Sequence, residues 1–66
     1  MKFSAEKLRI LQAKAQIKNN EIAEKCKVTY ATVVNWRKGK CEPTLEHLLT
    51  LSEIFKIDWR SLCSKN

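Results

Sequence analysis

Sixty-six residues make a single domain, 1–66, and a chain of this length buries only ~60% of its unfolded surface. So small a core leaves little room for an enclosed active site. Thirteen Lys and Arg against seven Asp and Glu give a net charge of +6, which favours polyanionic partners, because basic groups displace counterions from phosphates.

The chain reads as helical throughout, with one glycine and one proline, both in the stretch Gly39–Pro43. Ser4 predicts the cap of a first helix running to Ala15, with Glu6 suited to the dipole of its first turn. Phe3 and Leu8 have the spacing of a hydrophobic staple. Leu8, Leu11 and Ala15 then repeat at helical spacing, and Ile17 plugs the connection. A second helix is predicted over Asn19 to Cys26, where Ile22, Ala23 and Cys26 give one apolar face.

The next stretch, Thr29–Lys40, reads TYATVVNWRKGK. Thr29 is placed to cap a third helix. Val33 and Trp36 sit three apart and share its inward face. Gly39 can take the left-handed conformation that ends a helix, beside the cations Arg37, Lys38 and Lys40. After Pro43, Thr44 begins a fourth helix, Leu45 to Phe55. Its apolar positions Leu45, Leu48, Leu49, Leu51, Ile54 and Phe55 are expected to back the core. Asp58 predicts the cap of a final helix, Trp59 to about Ser64, with Trp59 and Leu62 packing inward.

Three cysteines form no C-x-x-C pair, and His47 is the only histidine. A metal centre or disulfide framework would need more ligands. Reduced thiols in the cytoplasm are the expectation, with Cys26 in the core and Cys41 and Cys63 partly exposed. The start, MKFSAEKLRIL, lacks the apolar stretch of a signal peptide, and no run approaches the ~20 apolar residues of a membrane span. No nucleophile–base pair, glycine-rich phosphate loop or cofactor motif is present. The carboxylates are scattered along helices, so an enzyme is not expected.

Three stretches in register carry a family resemblance: KNNEIAEKCKVTYATVVNWRKGK, PTLEHL and FKIDWRSL. Together they resemble the Cro/C1-type helix-turn-helix family, also called XRE, over residues 8 to 62. The resemblance implies an all-α, compact five-helix, lambda-repressor-like domain with the helix-turn-helix at helices 2 and 3. Several positions depart from the pattern. Lys27 stands where the turn usually has glycine, which suggests a mildly strained turn. Lys18 replaces the usual Ser/Thr cap of the second helix, with Asn19 or Asn20 as substitutes. Gln12 and Arg37 occupy the places of an arginine–glutamate ion pair, which is therefore absent and leaves Arg37 free to add charge near a groove.

The resemblance further implies that helix 3 enters the major groove while helix 2 crosses the backbone. By matched position, Tyr30, Ala31 and Asn35 read bases, with Thr32 and Val34 alongside. Asn can bond an adenine edge in bidentate fashion, and Ala or Thr methyls can touch thymine. Phosphate contacts fall to Lys18, Asn19, Arg37, Lys38 and Lys40, and to the amides near Gly39 and Thr44. A plainer alternative makes Asn35 and the lysines solvated helix residues and Tyr30 a packing residue. The expected partner is double-stranded DNA, bound by a weak homodimer that assembles on DNA. Its contacts would come from Cys41–Leu51 or from Trp59–Cys63. An antitoxin-type module with a protein partner is the rival. The expected role is a small repressor that occludes a promoter.

Overall fold

The computed structural model describes residues 2–64. Its elements are β1 (Lys2–Phe3), α1 (Ala5–Ala15), α2 (Asn19–Cys26), α3 (Tyr30–Lys38), α4 (Leu45–Phe55), a 3-10 turn (Trp59–Leu62) and β2 (Cys63–Ser64). Side-chain caps set the starts of most helices. Ser4, Thr29 and Thr44 each accept a backbone N–H three residues on, from Lys7, Thr32 and His47. Each satisfies one orphan donor of a first turn.

The C-terminal ends of α1 to α4 all turn through the left-handed region. Gly39 does so at φ 77°. Gln16, Lys27 and Lys56 do so at φ 56°, 59° and 57° despite their side chains. Lys27 therefore adopts the conformation for which glycine is suited, and its N–H bonds back to Ala23 and Glu24 carbonyls. The expected strain at this turn is local to one residue. The three-residue connection Lys27–Val28–Thr29 still delivers the chain into α3.

The core forms where the four α-helices and the 3-10 turn converge. Leu8, Ile22, Val33, Leu51 and Leu62 are fully buried, and Trp36 is nearly so. α3 packs on both α1 and α2, and α2 and the 3-10 turn pack on α4. Val33 and Trp36 are thus the anchor of α3, as their spacing predicts.

There is no fifth α-helix among the described residues. Asp58 does cap, its Oδ1 accepting from the Arg60 N–H at 3.0 Å, but the helix is a four-residue 3-10 turn. A segment this short gains too few i→i+4 bonds to propagate. Instead Cys63 and Ser64 become extended and pair antiparallel with Phe3 and Lys2. The Ser4 N–H donates to the Leu62 carbonyl at 2.8 Å and Lys7 Nζ to the Cys63 carbonyl at 2.7 Å. The two ends of the domain are so tied together.

The other corrections concern burial. Cys63 is buried rather than partly exposed, because its strand pairing draws it inward; Cys41 is exposed and Cys26 buried. Burial pushes the Cys26 thiol up from its ordinary pKa. Leu45 and Leu49 face outward, 56% and 46% exposed. α4 is apolar on more of its circumference than one packing face can cover. On α1, Ala15 is exposed and Gln12 takes the buried position. No described helix is long and apolar enough to cross a membrane.

Candidate nucleic-acid interface

At 3.6 residues per turn, the Val33–Trp36 anchor fixes which way α3 faces. Ala31, Val34, Asn35 and Lys38 lie opposite it, with Tyr30 along one edge and Thr32 along the other. Tyr30 and Ala31 are exposed, and Thr32, Val34 and Asn35 are half-buried. The Asn35 side-chain amide has no hydrogen-bond partner among the described residues. Thr32 is less available: its hydroxyl lies 2.9 Å from that of Thr29, within the helix cap. The residues expected to read bases thus share the exposed half of α3, except that Thr32 is partly committed to structure.

The cations cluster at the two ends of this face. Lys38 and Lys40 are exposed around the left-handed Gly39. Lys18 is exposed at the start of α2, where it is the N-cap residue without a side-chain cap bond. Asn19 does not substitute as a cap. Its side chain turns instead toward α1 and α3. Thr44 caps α4 with its hydroxyl, which also meets His47 Nδ1 at 3.2 Å. This leaves its neighbouring amides, rather than its hydroxyl, as the groups open to an anion.

Between α1, the start of α2 and α3 lies an open cleft of about 750 Å³. Arg9, Gln12, Lys18, Asn19, Tyr30 and Arg37 line it, and no carboxylate does. Arg37 is not free, as the lost ion pair suggested. Its Nη1 donates to Asn19 Oδ1 at 3.0 Å. Gln12 Nε2 donates to the same oxygen at 2.8 Å and to the Ile17 carbonyl at 3.0 Å. Hydrogen bonds from a neutral amide and a cation thus fill the place of the family's ion pair.

Arg9 escaped the sequence reading. Its guanidinium donates to the Arg37 carbonyl, at the C-terminal end of α3, where a cation complements the helix dipole. The available signal was its position one helical turn before Gln12, on the same face of α1.

Charge segregation extends this pattern. Residues 7–20 and 25–41 hold nine of the thirteen Lys and Arg and none of the seven Asp and Glu. They comprise most of α1, the α1–α2 connection, the helix-turn-helix turn and all of α3. The acidic residues sit elsewhere: Glu6 in the first turn of α1, Glu21 and Glu24 on α2, Glu46 and Glu53 on α4, and Glu42 and Asp58 in the loops that flank α4. The one ion pair among the described residues is Arg60 with Asp58, at 3.5 Å, far from this surface in sequence.

Two short helices joined by a tight turn, the second anchored by two buried residues and showing a face of mostly small, uncharged residues with cations at its C-terminal end, define a helix-turn-helix domain. A helix-turn-helix family model matches residues 6–62. The chain belongs to the Cro/C1-type (XRE) helix-turn-helix family of DNA-binding domains. A crystal structure of a transcriptional regulator from Listeria innocua is similar, with a TM-score of 0.85 and 28% sequence identity. The match covers 100% of this chain and 64% of that one. No curated protein matches the chain.

Proposed function

We propose that the protein is a sequence-specific double-stranded DNA-binding transcriptional regulator, a small repressor that occludes a promoter with α3 in the major groove. The observation that carries this reading is the charge segregation around α3. Arg37, Lys38 and Lys40 follow a helical face whose central side chains are Ala31, Val34 and Asn35, and the two sequence stretches that hold α3 and the preceding turns carry nine cations and no carboxylate. A groove reader needs that combination: cations for the phosphates, and short uncharged groups for the base edges. Asn35 suits an adenine, and the Ala31 and Val34 methyl groups suit thymine methyls, so the half-site leans toward A·T. Lys18, Asn19, Arg37, Lys38, Lys40 and the amides after Thr44 take the backbone phosphates. The Listeria relative, itself described as a transcriptional regulator, supports the regulatory role.

One module offers few base contacts, and two-fold dimers on paired half-sites are the usual remedy. The outward Leu45 and Leu49 lie in the stretch expected to supply such contacts. A pair of exposed leucines is a small patch, which fits a weak dimer completed on DNA. Cysteines without disulfide partners and a DNA ligand support a cytoplasmic site of action.

The test is binding to random duplex DNA at low salt, with the wild type and an Asn35→Ala, Lys38→Ala double variant. The wild type binds and the double variant binds more weakly. A wild type that binds no duplex removes the reading. Sedimentation with and without DNA tests the dimer: a tight dimer at sub-micromolar concentration without DNA contradicts assembly on the operator.

A further inference from the structure

The junction of α1, α2 and α3 contains a chain of fixed amide polarities. The Ile17 carbonyl can only accept, so Gln12 must turn its Nε2 toward it. The second proton of that nitrogen goes to Asn19. Asn19 must therefore present its oxygen to Gln12, and Arg37 donates to the same oxygen. The Asn19 amide is held in one of its two flip states. Its Nδ2 group points the other way and has no hydrogen-bond partner among the described residues.

Gln12 is costly where it stands. It is 4% exposed, and its Oε1 is buried with no partner among the described residues. An unpaired buried acceptor costs ~1–3 kcal/mol. A methionine of similar length would fill the same space without that cost. Packing alone does not account for a glutamine here.

We propose that Gln12 is a positioning residue for phosphate recognition. Through the shared Asn19 oxygen it aims Asn19 Nδ2 and the remaining N–H groups of Arg37 at a single phosphate of the DNA backbone. The groups that would meet this phosphate are donors. Asn19 Nδ2, the Arg37 guanidinium, Lys18 and the uncapped first amides of α2 offer no acceptor to repel an oxygen anion. An arginine–glutamate pair at the positions of Gln12 and Arg37 would be neutral, whereas Gln12 with Arg37 leaves one full positive charge. This inference rests on the DNA-binding reading above.

The test is a double-mutant cycle on binding to random duplex DNA at low salt, with thermal melts to confirm folding. Gln12→Met and Asn19→Ala should each weaken binding about tenfold, the scale of one charge-assisted hydrogen bond. The double variant should bind no more weakly than either single one. Gln12→Met combined with Lys40→Ala should instead be additive. Gln12→Glu is the second variant. It replaces the donor by an acceptor, so Asn19 must flip, and the free protein should show a displaced Asn19 side-chain amide resonance together with weaker binding. Losses from Gln12→Met that are equal with and without Asn19, or an Asn19 resonance unmoved in Gln12→Glu, would overturn the positioning role. Wild-type protein that ignores all duplexes overturns the DNA reading itself, an outcome distinct from binding that Gln12→Met leaves intact.

Discussion

The indole of Trp36 and the imidazole of His47 lie 5.3 Å apart, centroid to centroid, with their planes tilted by 45°. Through this pair the anchor of α3 touches the first turn of α4. His47 is held there by Thr44, which accepts its backbone N–H at 3.3 Å. The direction of α3 is therefore set by the core and by the capped start of α4 together.

Trp36→Ala should unfold or nearly unfold the domain. Removing a buried tryptophan costs ~3–5 kcal/mol, and a domain of this length has roughly 3–10 kcal/mol to lose. Trp36→Phe keeps an aromatic ring against His47 and should retain a cooperative melt at a lower midpoint. Circular dichroism melts of both variants check this. A native-like melt for Trp36→Ala would mean that α3 is turned to a different register.

Helix ends were the most legible part of the fold, for a chemical reason. Ser4, Thr29 and Thr44 have hydroxyls that compete for orphan amides, and Gly39 tolerates positive φ, so each marks a boundary by itself. The strand pair was hidden because two residues on each side carry no period, and their partners lie at opposite ends of the chain. Gln12 was hidden for a related reason. A polar residue at a core position breaks the apolar pattern, and its role becomes visible only once Asn19 and Arg37 converge on it. Leu45 and Leu49 misled in the opposite sense: apolar residues all round α4 cannot tell which side is covered.

Lys27 and Gly39 make a matched pair for testing backbone strain. Both sit in the left-handed region, at φ 59° and 77°. Lys27→Gly should stabilise the domain by about 1 kcal/mol, the left-handed penalty less the entropy that glycine adds to the unfolded chain. That corresponds to a rise of ~4–8 °C in Tm. Gly39→Ala should cost about 1 kcal/mol although space is available, since an added Cβ would meet only Ala5 Cβ, at 3.9 Å. Melting curves for the two variants should move in opposite directions.

The three cysteines should divide one against two toward a thiol reagent. Cys41 is exposed, while Cys26 and Cys63 are buried. Burial also pushes the Cys26 thiol up, which lowers its thiolate fraction and its reactivity. Absorbance with a disulfide reagent should show one fast equivalent and two that appear only on denaturation. Three equal fast equivalents would contradict the burial of Cys63 by strand pairing.

Asn35 and Lys40 should separate the two components of DNA recognition. Asn35 stands mid-face on α3 with its amide unengaged, so Asn35→Ala should relax preference at one base pair by ~1–3 kcal/mol. Lys40 stands past the end of α3, beyond the residues proposed to read bases. Lys40→Ala should weaken all duplexes alike and lower the salt slope by ~0.9. Selection of bound duplexes from a random pool, followed by titrations at several salt concentrations, measures both quantities. A uniform loss across sequences in Asn35→Ala would remove it from base reading and shift that role to Tyr30 and Ala31 at the start of the helix. An unchanged salt slope in Lys40→Ala would leave Lys40 a solvated residue, with Lys38 and the cleft around Asn19 as the phosphate contacts.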